Sequence, residues 1–144
     1  EKDFAMAHPG GSLGRRLLLT VEDIMHSGTD MPTISLDASI SEGLLEISRC
    51  GLGLVVVIGN SNNILGIFTD GDLRRMIETG LDLRASRLEA GMTRECKTLG
   101  SRALAAEALK LMQEEKINAP PIVNKNDQLI GVINMHDLLR AKVF

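Results

Sequence analysis

The sequence predicts an α+β fold in which a small β-α-β-β-α unit occurs twice, with the copies related by a pseudo-twofold axis. A shift of 65 positions brings the apolar residues of the two halves into register. The polar breaks at 59–63 and 124–128 coincide under the same shift, and each half alternates amphipathic and apolar segments in the same order. A unit of about 60 residues buries little surface alone. We therefore expect the copies to share one core and to leave a cleft with two equivalent pockets.

The register divides the chain into three parts. Residues 21–82 form the first copy, residues 83–144 form the second, and residues 1–20 precede both. The aligned segments are Val57-Ile58 with Ile122-Val123, Ile64-Leu65-Gly66 with Leu129-Ile130-Gly131, and Asp72-Leu73 with Asp137-Leu138.

The first copy is predicted to start with a short strand near Thr33–Leu36. Ser39 or Ser41 can cap the next helix, which runs to about Arg49. Two apolar strands joined by a polar turn then suit a hairpin. The predicted strands cover 54–58 and 64–68, and a closing helix covers 72–80.

The second copy repeats this order, with Ser101 offered as the cap of its first helix. Pro120 and Pro121 stand at the start of its buried strand, so we expect that part of the strand to pair on one side at most. The predicted elements are strands over 97–99, 119–123 and 129–133, and a closing helix that contains 137–143.

Composition excludes several classes of function. The 144 residues are 44% apolar with a net charge of −3, which gives no general attraction to nucleic acid or anionic membranes. Trp and Tyr are absent, so stacking platforms for single-stranded nucleic acid are missing. No apolar run reaches the length of a membrane span, and the N-terminus lacks the apolar core of a signal peptide. Cys50 and Cys96 have no metal-ligand spacing, which indicates reduced thiols, a cytoplasmic protein and no metal site.

The stretch "GIFTDGDLRR" at 66–75 allows three interpretations. Asp70 and Asp72 resemble the nucleophile and acid of a magnesium-dependent phosphatase. Alternatively, the helix start can hold a phosphate while a carboxylate accepts ribose hydroxyls. Finally, Thr69 and Asp72 can form a simple capping box.

The second copy favours the nucleotide interpretation, which is compatible with capping. Asp70 aligns with Met135, so the phosphatase nucleophile is not repeated, whereas Asp72 aligns with Asp137. Asn134 replaces Thr69 as a competent N-cap. The remaining candidates for contact with a ligand are His136 beside the second helix start and Thr33, Leu54 and Ala119 along the cleft walls.

The doubled unit and the motifs "GIFTDGDLRR" and "GVINMHDLLR" resemble the cystathionine-β-synthase (CBS) domain family over residues 21–144. Its pattern Gly-apolar-x-Thr/Ser-x-x-Asp contacts the phosphate and ribose of adenosine nucleotides. The resemblance implies that Thr69 and Asp72 bind nucleotide in the first copy. It implies the same for Asp137 in the second, where Asn134 replaces the hydroxyl residue.

The segment "DFAMAHPGGSLGRRLLLTVEDIM" resembles the junction in bacterial D-arabinose 5-phosphate isomerases, where a sugar isomerase (SIS) domain precedes a CBS pair. Residues 1–20 would then be the end of a SIS domain, and the chain a fragment of a longer protein. The resemblance implies that His8 belongs to the active site of the parent enzyme. The fragment itself would not catalyse the reaction.

The parent family interconverts ribulose 5-phosphate and arabinose 5-phosphate, the first step toward the lipopolysaccharide or capsule sugar Kdo. By resemblance, the parent needs no cofactor for catalysis and forms tetramers. The pair would contact the SIS domain and a second copy of itself. Its regulatory ligand would be AMP, ATP or CMP-Kdo.

Three hypotheses therefore remain. The first is a regulatory nucleotide-binding CBS pair. The second is an oligomerisation scaffold without ligand, whose aspartates only cap helices. The third is a phosphatase that uses Asp70.

Overall fold

The computed structural model describes residues 18–142, which contain two three-stranded sheets, five α-helices and two short 3₁₀ helices. The first half contains β1 (Thr33–Ser35), α2 (Ile40–Cys50), β2 (Leu54–Ile58), β3 (Ile64–Thr69) and α3 (Asp70–Glu78). The second half contains β4 (Leu99–Gly100), α4 (Ala105–Glu115), β5 (Pro121–Val123), β6 (Leu129–Val132) and α5 (Met135–Arg140). A four-residue helix, α1 (Val21–Ile24), precedes both halves. This order confirms the predicted α+β fold with its repeated β-α-β-β-α unit.

Each sheet has the same topology. In the first sheet β1 lies parallel to β2, and β2 pairs antiparallel with β3. In the second sheet β4, β5 and β6 repeat this arrangement. Pro121 pairs with Val132 of β6 and has no partner on β4, as expected for a residue without an amide hydrogen.

The first long helix begins where its capping residues predict. Ser39 Oγ accepts the amide hydrogen of Glu42 at 3.1 Å, and Glu42 Oε1 accepts that of Ser39 at 2.8 Å. This reciprocal pair satisfies two amide groups that a helix start leaves free. Helix α2 ends at Gly51, whose φ of +69° suits glycine.

The predicted cap of the second long helix is wrong. The amide of Ser101 donates to the carbonyl oxygen of Val123, which continues the β4–β5 ladder and keeps Ser101 out of the helix. Leu104 is the N-cap instead, and Glu107 Oε1 accepts its amide hydrogen at 2.9 Å. The helix therefore starts three residues later than a Ser101 cap would place it.

The expectation of one shared core is also corrected, because the buried side chains form three clusters. One lies within the first half, around Val55 and Phe68, and another around Ile122 and Leu138 of the second half. Of the three, only the third cluster contains strand residues of both sheets. Its buried members are Leu52, Leu54, Val56, Ala119, Leu129 and Val132.

The segment that leads into each half is exchanged between the halves. Residues 18–26 pack on the second half, where Val21 joins the core and His26 pairs through its backbone with Val132. Thr93, in the connection between the halves, pairs in the same way with Ile67 of the first half. The segment that leads into each copy therefore packs on the sheet of the other copy, and neither sheet is fully covered by its own copy.

Two glycines make this exchange possible. A Cβ at Gly66 would lie 2.6 Å from the carbonyl oxygen of Thr93. A Cβ at Gly131 would meet the side chain of Met25 and lie 3.0 Å from the carbonyl oxygen of His26. These glycines thus allow the exchanged segments to approach the sheets closely.

Candidate functional site

A cavity of about 420 Å³ lies where helix α3 begins, between the two halves. Its volume falls in the range of about 300–1,000 Å³ that small-molecule sites occupy. We call it the Thr69 cavity. It is lined by Leu52, Gly53, Leu54, Ile67, Thr69, Asp70, Gly71, Arg75, Thr93, Lys116, Ile117, Asn118 and Ala119.

Thr69 is the N-cap of helix α3. Its Oγ1 accepts the amide hydrogen of Asp72 at 3.2 Å, and its own amide donates to Asp72 Oδ2 at 2.9 Å. The capping box is therefore present. The amide groups of Asp70 and Gly71 belong to the first turn, where the helix offers no acceptor, so a ligand in the cavity can use them.

The carboxylate of Asp72 lies beneath the cavity and not in its wall. The residue is 2% exposed, and its oxygens accept hydrogen bonds from Thr69, Arg75 and Thr93. The Thr93 Oγ1 bond measures 2.9 Å. Asp72 thus holds together three residues that do line the cavity. Its direct contact with a ribose stays a prediction, because that contact requires one of these donors to move.

The charged groups that line the cavity come from both halves. Arg75 extends from α3 of the first half, and Lys116 ends α4 of the second half. Asp70, the first residue of α3, adds one exposed carboxylate. Arg75 also pairs with the buried Asp72 carboxylate, so the two cations and two carboxylates balance in charge, and Arg75 and Lys116 are the donors that an anionic group such as phosphate would meet.

A second cavity of about 250 Å³, called here the apolar cavity because its exposed lining surface is mainly apolar, adjoins the charged end. It is lined by Ile67, Thr93, Glu95, Cys96, Lys97, Glu115, Ile117 and Pro121. Both cavities are lined by Ile67, Thr93 and Ile117, so they adjoin along this wall. Cys96 and Pro121 close the apolar end. Burial raises the pKa of the Cys96 thiol, which keeps it protonated at neutral pH.

The second half repeats the hydrogen bonds but not the residues. Asn134 caps α5, accepting from the amide of Asp137 at 3.0 Å and donating its own amide to the Asp137 carboxylate at 2.8 Å. Arg140 forms an ion pair with Asp137, as Arg75 does with Asp72. His26 takes the place of Thr93, with Nε2 2.8 Å from Asp137 Oδ1. A carboxylate only accepts, so Nε2 is the nitrogen that carries the hydrogen.

The predicted site residues divide into two groups. Thr69, Leu54 and Ala119 line the Thr69 cavity together. The residues predicted to bind that are not in its lining are Thr33 on β1, buried Asp72, and the second-half residues Asn134, His136 and Asp137. His8 lies outside the described residues.

Sequence reasoning did not identify Thr93 and Lys116 in the Thr69 cavity, or His26 at the equivalent place in the second half. Thr93 and His26 each follow a methionine, and a shift of 67 positions aligns these pairs, but both segments carry little other similarity. Lys116 was hidden at the end of an amphipathic helix. A signal for Lys116 exists only in the repeat, where Gly51 ends the matching helix in the same left-handed backbone region.

Within residues 18–142, no cluster of three His, Cys, Asp or Glu side chains could hold a metal ion. Among the helices of that same part of the chain, none has the length and apolar character to cross a membrane.

The fold and the two capped motifs define a tandem CBS pair. The family model of the CBS domain matches residues 21–79 and 85–143, and the chain belongs to this family. In sequence it is similar to the arabinose 5-phosphate isomerase KdsD of Pseudomonas aeruginosa, with 50% identity over 142 residues that cover 99% of this chain and 44% of the relative. The KdsD of Yersinia pestis is 51% identical over 143 residues, covering 99% of this chain and 43% of the relative. The chain thus spans less than half the length of these relatives, and the predicted resemblance to both families is confirmed.

Solved structures confirm the fold. An uncharacterized conserved protein from Pyrococcus horikoshii matches with a TM-score of 0.75 and 26% identity, covering 88% of this chain and 93% of that one. CBSX2 in complex with AMP matches with a TM-score of 0.75 and 18% identity, covering 87% and 97%. The CBS domain pair of protein MJ0100, in complex with 5′-methylthioadenosine and S-adenosyl-L-methionine, matches with a TM-score of 0.74 and 19% identity, covering 84% and 97%.

Proposed function

We propose that this CBS pair is the regulatory nucleotide-binding module of an arabinose 5-phosphate isomerase. The observation that carries the proposal is the Thr69 cavity, which presents the cationic side chains of Arg75 and Lys116 at one end and adjoins a mainly apolar cavity along Ile67 and Ile117. A nucleotide has the same division, since its phosphate is anionic and its base presents flat apolar faces.

The charged end suits the phosphate. The free amide groups at the start of α3 and the guanidinium of Arg75 can bind its oxygens, and Thr69 lies beside them. The base would enter the apolar end beside Cys96. Two CBS pairs of the same fold were solved with adenosine compounds, which supports AMP or ATP as ligands, and CMP-Kdo stays a candidate as the nucleotide-linked product of the parent pathway.

We propose the isomerase activity for the complete protein and not for residues 18–142. KdsD relatives share about half of this sequence over 99% of the chain, which supports the same parent reaction. In that parent, a SIS domain with His8 in its active site would move a proton at the carbon beside a carbonyl, in the cytoplasm. The CBS pair would shift the enzyme between two states by binding nucleotide more tightly in one of them.

Calorimetric titration of the 144-residue chain with AMP, ATP, CMP and CMP-Kdo tests the binding step. At least one of these should bind, and Arg75→Ala should weaken it by about tenfold or more, which corresponds to one lost charged contact. Arg74→Ala is the matched control, because Arg74 is exposed and outside the lining of the cavity. Silence across the four compounds would contradict the proposal.

The regulatory step needs the complete isomerase. The nucleotide that binds should change the rate of arabinose 5-phosphate formation in the wild-type enzyme and should not change it in Arg75→Ala. A nucleotide that binds without any effect on the rate would leave a binding module that does not regulate the enzyme.

A second candidate function is assembly, and two exposed side chains favour it. Leu45 on α2 is 72% exposed and Ile77 on α3 is 57% exposed, although both helices pack on the same core cluster. Their counterparts under the 65-residue shift are Lys110 and Lys142. At these two helical positions the first half therefore presents apolar side chains where the second half has lysines, and these side chains can meet a second copy of the chain.

Leu45→Lys tests the assembly function, because lysine is the residue that the repeat itself has at this place. Sedimentation velocity should show a dimer for the wild type and mostly monomer for the variant. Glu114→Gln on the exposed face of α4 is a control that should leave the dimer intact. A monomeric wild-type chain at micromolar concentration would contradict this function.

A further inference from the structure

We infer that the chain binds one nucleotide and not two, in the Thr69 cavity, and that His26, Met135 and His136 close the equivalent place in the second half. The inference rests on the proposed nucleotide binding and specifies which of the two repeat-related places is used.

The repeat defines the equivalent place residue by residue. Residues 51–54 and 116–119 exchange under the 65-residue shift, so the same two loops would line both places. Thr93 corresponds to His26, because both make the same pair of backbone hydrogen bonds, with Ile67 and with Val132 respectively. These bonds measure 2.8 Å in both directions in the first half and 2.9 and 3.0 Å in the second.

Three lining positions gain bulk in the second half. Asp70 becomes Met135, Gly71 becomes His136, and Thr93 becomes His26. The first two correspondences follow from the 65-residue shift, and the third follows from the shared backbone hydrogen bonds.

The Gly71 position shows why bulk matters there. A Cβ at Gly71 would lie 3.5 Å from Thr69 Oγ1 and 3.6 Å from a terminal nitrogen of Arg75. A side chain at this position therefore starts between the two polar groups that would bind phosphate. His136, which is exposed, puts a side chain at this position of the second half, whereas glycine leaves the approach open in the first.

Burial of the sheet wall differs between the two places in the same direction. Ile67 is half-buried and lines the Thr69 cavity, whereas its counterpart Val132 is 0% exposed. His26 pairs through its backbone with Val132, and its imidazole is held by its contact with Asp137. A wall that is open in the first half is thus closed in the second.

The number of cationic donors differs as well. Lys116 lines the Thr69 cavity, and the residue at the corresponding helix end is Gly51. The place in the second half therefore keeps Arg140 but lacks the second cation. It also lacks the Asp70 carboxylate, so the net charge of the two places is the same, but an anionic ligand meets one cationic donor fewer in the second half. Together with the added bulk of Met135, His136 and His26, this leaves the Thr69 cavity as the single site.

Titration of the chain with the four nucleotides gives the stoichiometry directly, and we expect one per chain for the compound that binds. Arg75→Ala and Arg140→Ala form a matched pair, because each removes the ion pair to the motif aspartate of one half. Arg75→Ala should weaken binding by about tenfold or more, and Arg140→Ala by less than about twofold. Two nucleotides per chain, or equal losses in both variants, would overturn the inference while the proposed function stands.

Two further variants guard against effects on folding. Lys116→Gly introduces the residue of the other half at a φ of +56°, where glycine is favoured, so the fold should persist while affinity falls about fivefold or more. Thr93→His copies the closure and should abolish binding, while Thr93→Ser should retain it. Unchanged affinity in both Lys116→Gly and Thr93→His would refute the inference. If none of the four nucleotides binds the wild type, the proposed function fails, and this inference fails with it.

Discussion

At the scale of single residues, the motif aspartates stabilise the fold whether or not a ligand binds. Asp72 and Asp137 are each 2% exposed, and each accepts hydrogen bonds from its own helix cap, from an arginine one turn later and from an exchanged segment. A buried carboxylate is tolerated only when it is satisfied in this way. A binding motif and a capping box are therefore the same residues in this chain.

We expect Asp72→Asn to lower the free energy of unfolding by about 1–3 kcal/mol, because the amide loses the ion pair with Arg75 and presents a donor to groups that also donate. Urea unfolding monitored by circular dichroism measures the change. Asp70→Asn is the control, since Asp70 is exposed, and it should stay within about 0.5 kcal/mol of the wild type. Equal stability of the two variants would show that Asp72 does not hold the site together.

Gly66 allows the backbone of Thr93 to lie close to strand β3. A methyl group there would lie 2.6 Å from the carbonyl oxygen of Thr93, which is backbone and cannot rotate away. Gly66→Ala should therefore lower the unfolding free energy by about 1–3 kcal/mol. Gly100→Ala is the matched control, because a Cβ at Gly100 meets nothing within 4 Å. A melting experiment that ranks Gly100→Ala as the more damaging change would contradict the exchanged packing.

At the scale of elements, capping residues set where a helix begins, but a hydrogen bond to a neighbouring strand can prevent a capping residue from starting a helix. Ser39 starts α2 because its side chain meets only the helix that follows. Ser101 is an equally good capping residue by type, but its amide is already used by Val123 across the sheet. Local capping preference is worth about 1 kcal/mol, so a ladder hydrogen bond in the right place can override it.

The reactivity of the two cysteine thiols at different pH values allows a test of the apolar cavity. Burial raises the pKa of the thiols of both Cys50 and Cys96, so the reactive thiolate is scarce at neutral pH in the folded chain. Alkylation of both thiols should be slow at pH 7 and should accelerate as the pH rises beyond about 9, the region of an ordinary or raised thiol pKa. Mass spectrometry after iodoacetamide treatment measures each thiol separately.

Ligand then separates the two thiols. Cys96 lines the apolar cavity and Cys50 does not, so a bound nucleotide should slow alkylation of Cys96 and leave the rate at Cys50 unchanged. Equal protection of both thiols would indicate a general stabilisation, and protection of neither would place the base elsewhere.

At the scale of the whole molecule, the repeat in the sequence is not the folding unit. The core of the second half includes Val21 at 0% exposure, and the edge of its sheet pairs with His26. The first half in turn borrows Thr93 from the connection that leads into the second. Neither copy, cut at the boundary that the repeat defines, carries all the residues that cover its own sheet.

A chain of residues 83–144 should therefore fail to form a stable fold, because it lacks the segment that holds Val21 and His26. We expect a poorly dispersed ¹H–¹⁵N spectrum and no cooperative urea transition, whereas the full chain should unfold in one transition. Adding residues 18–26 as a separate peptide should recover part of the native spectrum. A cooperative transition of residues 83–144 alone would show that the exchanged segment is dispensable.

The sequence by itself determined the repeat, the order of the elements and the capping boxes at Thr69 and Asn134. These features depend on apolar periodicity and on hydrogen bonds between residues three positions apart, so short stretches encode them. Only the tertiary structure decided that Asp137 meets His26, 111 residues away, and that Asp72 lies beneath the Thr69 cavity and not in its wall. Contacts over such separations depend on the path of the chain between the halves, and local sequence preferences do not specify that path.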